Sequence, residues 1–187
     1  MTIEKGSEWG SVVAEKRDGI EARGDLARDL GIDGDDIAGH PGPWRRLPID
    51  AIEIVTKRAT GEEGAITTTG WVRCGRRLLA DLVIVSSTAF VDGRRLFSRA
   101  HPNDGRFDWI AIDASMPLRQ RLTFWRRTRT ETHLPHPLVR AGSGTAHTFT
   151  FAKPRTLISS DGQSITGVVA FEARIVPDAS ATHIPSL

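Results

Sequence analysis

Residues 81–91 read DLVIVSSTAFV, an almost unbroken apolar run of strand length. A strand with polar residues at alternate positions can lie on a surface, but this one has none between Leu82 and Val85. It must be covered on both faces or lie central in a sheet. The runs around it repeat the strand signal with one apolar face. PIDAIEIVTKR (48–58) sets Ile49, Ala51, Glu53 and Val55 against Ile52 and Ile54, and ITTTGWVRC (66–74) adds three β-branched threonines. FDWIAIDA, TAHTFTFAK, RTLISSDG and GVVAFEARIV follow, the last placing Val169, Phe171, Ala173 and Ile175 on one side. ISSDGQSITGVVA (158–170) is read as a hairpin closed by Asp161-Gly162, because Asp-Gly tolerates the positive φ of a tight turn. Seven strand-like runs joined by short turns predict a mainly β fold, an antiparallel sandwich or barrel.

One helix interrupts the strands. MPLRQRLTFWRRTRTET opens with Pro117 at a first-turn position, and the spacing of Leu118, Leu122 and Trp125 predicts an amphipathic helix over about 117–132, that stripe on the sheet. Its arginines suit either a solvated face or contact with an anionic head group or membrane surface. A shorter helix is predicted from Asp25, as cap, to Leu30, stopped by Gly31.

The chain of 187 residues suits one domain with a small appendage. Residues 1–46, rich in Gly and charge, are expected to be partly mobile, and residues 47–187 to form the folded domain. Lys and Arg number 25 against 23 Asp and Glu, a balance far from that of a general nucleic-acid binder. One cysteine, Cys74, excludes an internal disulfide and reads as a packed thiol. Neither a signal-peptide pattern nor a run of about 20 apolar residues is present, so a cytoplasmic location is expected. Phosphate-loop, dinucleotide-binding, nucleophile-elbow and zincin motifs are all absent. His133 and His136 are close in sequence, but the prolines of LPHP hold them on an extended loop without other zinc ligands at suitable spacing.

The order of several segments carries more. In DGRRLFSRAHPNDGRFDWIAID (92–113), Ala100, Pro102, Asp104, Gly105 and Asp108 stand in step with a region of the diacylglycerol kinase and related bacterial lipid kinase family, which reads roughly GGG, an apolar pair, PxA, a DDG turn and a strand. THLPHPLV resembles that family's H-x-x-H-P segment, while DGQSI and FEARIVPDA resemble its DGE hairpin and closing strand. The resemblance spans about Ile49 to Pro185.

It implies the family's C-terminal β-sandwich, without most of the N-terminal α/β domain that holds the nucleotide through GGDGT. GDLARDLGI (24–32) resembles the end of the family's GTGND-x-A-R-x-LG segment, with Asp25, Ala27, Arg28, Leu30 and Gly31 matching. Glu21, Ala22, Arg23 and Gly24 stand where GTGN would approach phosphate, and Glu and Arg side chains fill that space. KRDGIE (16–21) echoes GGDGT only faintly, so ATP is not expected as a ligand. In the family the Glu of DGE is the general base toward the lipid hydroxyl; here Gln163 stands there, beside Asp161. An amide holds a hydrogen bond but takes no proton at neutral pH, which forfeits about 10²- to 10⁴-fold of base assistance.

Some members bind a structural magnesium near the DDG turn; here the turn is Asn103-Asp104-Gly105, leaving Asp104 as a candidate ligand or a plain turn residue. No other cofactor is expected. The resemblance thus implies a kinase-dead protein that binds a lipid or acyl ligand, with Trp109, Phe124, Trp125 and Arg121 as contact candidates. Two further classes stay open: a lipid kinase acting with a separate nucleotide-binding subunit, and a homodimerisation module using an edge such as Ala65–Val72.

Overall fold

The run at 82–86 is a strand buried on both sides. In the computed structural model, which describes residues 20–21, 24–32 and 43–185, strand β5 (Leu82–Ser86) sends Leu82 and Ile84 into one apolar cluster and Val83 and Val85 into another. Before it come β1 (Ile20–Glu21), helix α1 (Gly24–Asp29), β2 (Trp44–Arg58), β3 (Glu63–Thr68) and β4 (Trp71–Gly75). After it come β6 (Phe90–Val91), β7 (Arg94–Arg95), β8 (Phe107–Ile112), helix α2 (Leu118–Arg127) with a 3₁₀ turn (Thr128–Thr130), β9 (Val139–Gly144), β10 (Ala146–Ser159) and β11 (Ser164–Pro185).

One sheet runs in the order β3-β2-β11-β10-β4-β5-β8-β9 with antiparallel neighbours, while β1 joins β11 in parallel and β6 pairs with β7 separately. The sheet does not close into a barrel; it curls. Strands β10 and β8 are separated by β4 and β5, about 14 Å in a flat sheet. Yet Trp109 of β8 stacks on His147 of β10 with ring centroids 4.7 Å apart and meets Phe149 edge-on at 5.4 Å. The concave side therefore encloses a core of Ile52, Ile54, Val85, Phe107, Leu157 and Phe171, among others. Register shifts between Thr150 and Leu157 on β10, and between Val176 and Ser180 on β11, supply the bends.

The convex side of β4, β5 and β8 carries the second core, covered by α2, α1 and the loop through Leu96 and Phe97. Cys74 is packed inside, and burial pushes its thiol up to about 12.

Four local expectations change. The stretch 66–74 is not one strand: it bends at Thr69-Gly70, sending β3 to the sheet edge beside β2 and β4 to the centre beside β5. Ala65 thus lies on an edge strand, and Val72 does not. The Asp-Gly hairpin closes through four residues, 160–163, rather than two, with Ser159 N–H donating to Gln163 O at 3.0 Å. Helix α2 stops at Arg127, and its inward stripe is Arg121, Phe124 and Trp125; Leu118 and Leu122 are half exposed. The helix rotates because Arg121 has polar work inside. The short helix near Asp25 forms as expected and Gly31 follows its end at φ 69°, but Asp25 is its second residue rather than its cap, and its Oδ1 accepts from Gly93 N–H. The expected mobility of residues 1–46 falls mainly outside the described residues.

Candidate functional site

The turn at 159–163 and helix α1 border one polar seam. Ser160 Oγ lies 2.9 Å from Thr68 Oγ1, and Ser160 N–H donates to Trp71 O at 2.8 Å. Ser87 N–H donates to Gly70 O, and Ala89 N–H donates to Asp29 Oδ2 at 2.9 Å. On α1, Asp25 Oδ1 also accepts from Gly93 N–H at 2.9 Å. Burial beside Asp25 pushes the Asp29 carboxyl up to about 7, against the lowering effect of the Ala89 N–H. Asp25, which matches the nucleotide-site segment, and its neighbour Asp29 thus anchor α1 to the loops around 89–93.

Within the turn, Gln163 is exposed and its Nε2 donates to Asp161 Oδ2 at 3.0 Å. Asp161 Oδ1 accepts from the Ser159 hydroxyl. Both oxygens of the carboxylate next to Gln163 are therefore engaged. A general base must be within hydrogen-bond reach with a lone pair free for the proton. Gln163 is an amide and takes no proton at neutral pH, while each Asp161 oxygen keeps a further lone pair beyond the bond it accepts.

Asp104 sits apart, and its Oδ1 accepts from Arg106 N–H at 3.0 Å, the ordinary bond of an Asp turn. The buried carboxylate here is Asp50, which sequence reading missed; its oxygens accept from Gly105 N–H at 2.7 Å and Asp178 N–H at 3.0 Å. With its amide nitrogen turned toward the carboxylates, Asn103 donates to Asp50 Oδ1 and Asp178 Oδ1 at 3.1 Å each. The Asn side chain holds together two acidic side chains that would otherwise face each other. Among the described residues, no group of three or more His, Cys, Asp or Glu is placed to hold a metal ion.

Of the ligand-contact candidates, Arg121 and Trp125 turn inward. Arg121 is 1% exposed and donates to the carbonyls of Met116 (3.1 Å), Asp113 (2.6 Å) and Arg77 (3.4 Å). Burial lowers its pKa, and Asp81 and Asp113 offset part of that. Trp125 Nε1 donates to Arg77 O at 3.2 Å. Phe124 is buried too, edge-on to His133.

Trp109 faces an opening. It lines a groove of about 460 Å³ with Leu96, Phe97, Leu134 and Gly142, rimmed by Arg95, Arg99 and Asp108. Gly142 is required there, because a Cβ would lie 2.7 Å from the indole ring. Burial raises the Asp108 pKa while a hydrogen bond from Ser143 lowers it. The groove is apolar at its base and charged at its rim, suited to a ligand of the same two-part character. Only Trp109 was legible in advance; Gly142 carries no motif.

No protein-family model and no curated protein sequence matches the chain. Solved structures do. A diacylglycerol kinase from Bacillus anthracis strain Sterne superposes with a TM-score of 0.53 at 9% identity, covering 84% of this chain and 62% of the other. Two further structures from the same strain, provisionally assigned as diacylglycerol kinases, give TM-scores of 0.57 and 0.50 at 9% and 10% identity. Each also covers 84% of this chain, and 65% and 64% of its own. This chain therefore shares its fold with bacterial diacylglycerol kinase structures over most of its length, and spans under two thirds of theirs.

Proposed function

We propose that the chain binds a lipid or other acyl ligand in the Trp109 groove and does not itself transfer a phosphoryl group. The observation that carries this reading is the groove: an open, partly apolar cavity lined by a partly buried tryptophan on a fold shared with diacylglycerol kinases. Gln163 supports the second half, because it places an amide, which takes no proton at neutral pH, where the turn would present a base. The outer side of α2, with Leu118 and Leu122 near Arg119 and Arg126 and no acidic residue on the helix, gives the same reading a side suited to a membrane surface. Among the described residues no helix is long and apolar enough to cross one.

The test is displacement of a fluorescent fatty-acid probe, with Mg-ATP titrated separately by calorimetry. Expected are saturable acyl binding weakened at least about tenfold in Trp109→Ala, a loss of roughly 1.4 kcal/mol, and no saturable heat with Mg-ATP. Acyl binding that is absent, or unchanged in Trp109→Ala, sinks the ligand assignment. Saturable Mg-ATP binding with phosphate transfer to diacylglycerol sinks the non-catalytic one.

A further inference from the structure

Among the described residues, few large apolar side chains are left exposed, and most of them gather in two segments. Leu78 is 44% exposed and Leu79 61%, in the loop between β4 and β5; Leu118 is 50% and Leu122 52%, on the outer row of α2. The others, Val55 and Val176, sit singly on strands, as surface residues commonly do. Leucines exposed together call for a covering partner.

The loop and the helix are fastened to each other at one carbonyl. Arg77 O accepts from Arg121 Nη1 at 3.4 Å and from Trp125 Nε1 at 3.2 Å, and the Arg77 guanidinium lies over the Trp125 ring, 5.2 Å from its centroid. Leu78 follows Arg77 directly. Leu118 precedes Arg121 by three residues and Leu122 precedes Trp125 by three, so each helix leucine borders one of these anchors. The loop also stands out from the sheet. A Cβ at Gly75 (φ 106°) would lie 2.2 Å from Asp81 O, so the ends of the loop are pinched together and its middle carries both leucines into water.

Charge decides what can cover them. Arg76 is exposed beside the loop leucines, Arg119 and Arg126 flank Leu122, and α2 holds no acidic residue. The acids that act on Arg77 and Arg121 are Asp92, Asp81 and Asp113. Asp92 is paired with Arg77 and Arg73, Asp81 is paired with Arg155, and Asp113 accepts from Ser115. The surroundings of the leucines are therefore net positive. A second copy of the chain would set these arginines against their own images. A bilayer with anionic head groups suits both halves, because leucines can enter the acyl boundary while guanidinium groups stay at the level of phosphate.

We propose that the loop tip Leu78-Leu79 and the Leu118–Leu122 row of α2 together dock the chain on an anionic bilayer, with the loop leucines entering it. The proposal rests on the reading above only for the outer side of α2, and the two fail separately. Trp109→Ala should weaken binding of the acyl probe and leave vesicle attachment unchanged.

The experiment is sedimentation of the full chain with vesicles of phosphatidylglycerol or phosphatidylcholine, with salt raised in steps. Expected is attachment to phosphatidylglycerol at least about tenfold tighter than to phosphatidylcholine, weakening as salt rises. Leu78→Ser/Leu79→Ser should lose at least about tenfold, because two exposed leucines no longer transfer out of water. Arg119→Gln/Arg126→Gln should lose about tenfold or more, at roughly fivefold for each basic side chain near the surface. All four side chains are exposed, so the variants should fold as the wild type does. Insertion is read separately with a polarity-sensitive fluorophore. Cys74 is buried and its thiol is pushed up to about 12, so in Leu79→Cys the new cysteine takes the label. Its emission should shift to the blue on phosphatidylglycerol vesicles. A label at Thr145→Cys, exposed where β9 turns into β10 at the Phe107 end of β8, should not shift. Equal attachment to both vesicles, attachment to neither, no loss in the leucine pair, or a label at position 79 that stays in water overturns the proposal. Self-association that the leucine pair abolishes also overturns it, by making a second copy the occupant.

Discussion

The seam around residues 159–163 and the flank formed by α2 with residues 133–136 are both rich in polar side chains, and they differ in whether those side chains are satisfied. At the seam, Ser159, Ser160, Asp161 and Ser87 each have a partner inside the protein. On the flank, Arg119 and Arg127 reach water without a partner among the described residues, and His133 Nδ1 is buried without one. Resemblance drew attention to the seam, where Gln163 marks a lost base. Unmet hydrogen-bonding demand draws it to the flank.

The largest effect should come from erasing that contrast within one helix. Arg121→Ala leaves three carbonyls without their charged donor, and about 3–5 kcal/mol of stability should be lost, whereas Arg119→Ala on the exposed side should stay within about 0.5 kcal/mol. Chemical denaturation of the two variants side by side measures this. An equal, small effect in both would mean that Arg121 does not hold α2 to the loop at Arg77.

The anchor of α1 sharpens the comparison through pH. Asp29 has a folded pKa of about 7 against 3.8 in the reference state, so the folded protein holds its proton more tightly. The resulting stability is fully present below about pH 3.8 and is lost as pH rises through about 7. The full linkage for such a shift is about 4 kcal/mol; partial exposure reduces it, and about 2 kcal/mol is expected, concentrated in the docking of α1. Hydrogen exchange of residues 24–32 at pH 5 and pH 8 reads it out. Asp29→Asn should flatten the difference, because the amide oxygen still accepts from Ala89 N–H. Identical protection factors at both pH values in the wild type, each taken against the intrinsic rate at that pH, would show that α1 does not depend on this carboxyl.

Smallest is the expected effect of Ser160→Ala, about 1 kcal/mol, from the loss of the Thr68 contact at 2.9 Å. A shift in the denaturation midpoint checks it. No shift would mean that the seam is less tightly satisfied than its distances imply.

Much of the sheet was legible because hydrophobic burial leaves a period in the sequence. Leu82, Val83, Ile84 and Val85 announce a strand covered on both faces, and Phe171 and Ala173 announce the inner face of β11. The orientation of α2 was not legible. Hydropathy places Leu122 inside and Arg121 outside, and it carries no record of the carbonyls at Met116, Asp113 and Arg77 that reverse the choice. The split of 66–74 was hidden for a related reason: three threonines read as strand, while the bend at Thr69-Gly70 sends the residues before and after it to different regions of the sheet. Trp109 was legible as a large side chain on a strand. The demand at His133 Nδ1 was not, because it arises from Leu96, 37 positions away.

The pairing of β2 with β11 has a consequence for how the chain is made. Val55 lies opposite Glu172 and Trp44 opposite Pro185, so most of β2 must wait for more than a hundred further residues before its second neighbour exists. At ribosomal rates of about 5–20 residues per second, that wait lasts roughly 6–24 s. In the interval, β3 can fold back onto one side of β2 while the other edge, with Ile52 and Ile54, stays bare on the nascent chain. The fold's longest seam is the last to be sewn, and synthesis speed and chaperone capture during that window should govern how much of the protein reaches its native state.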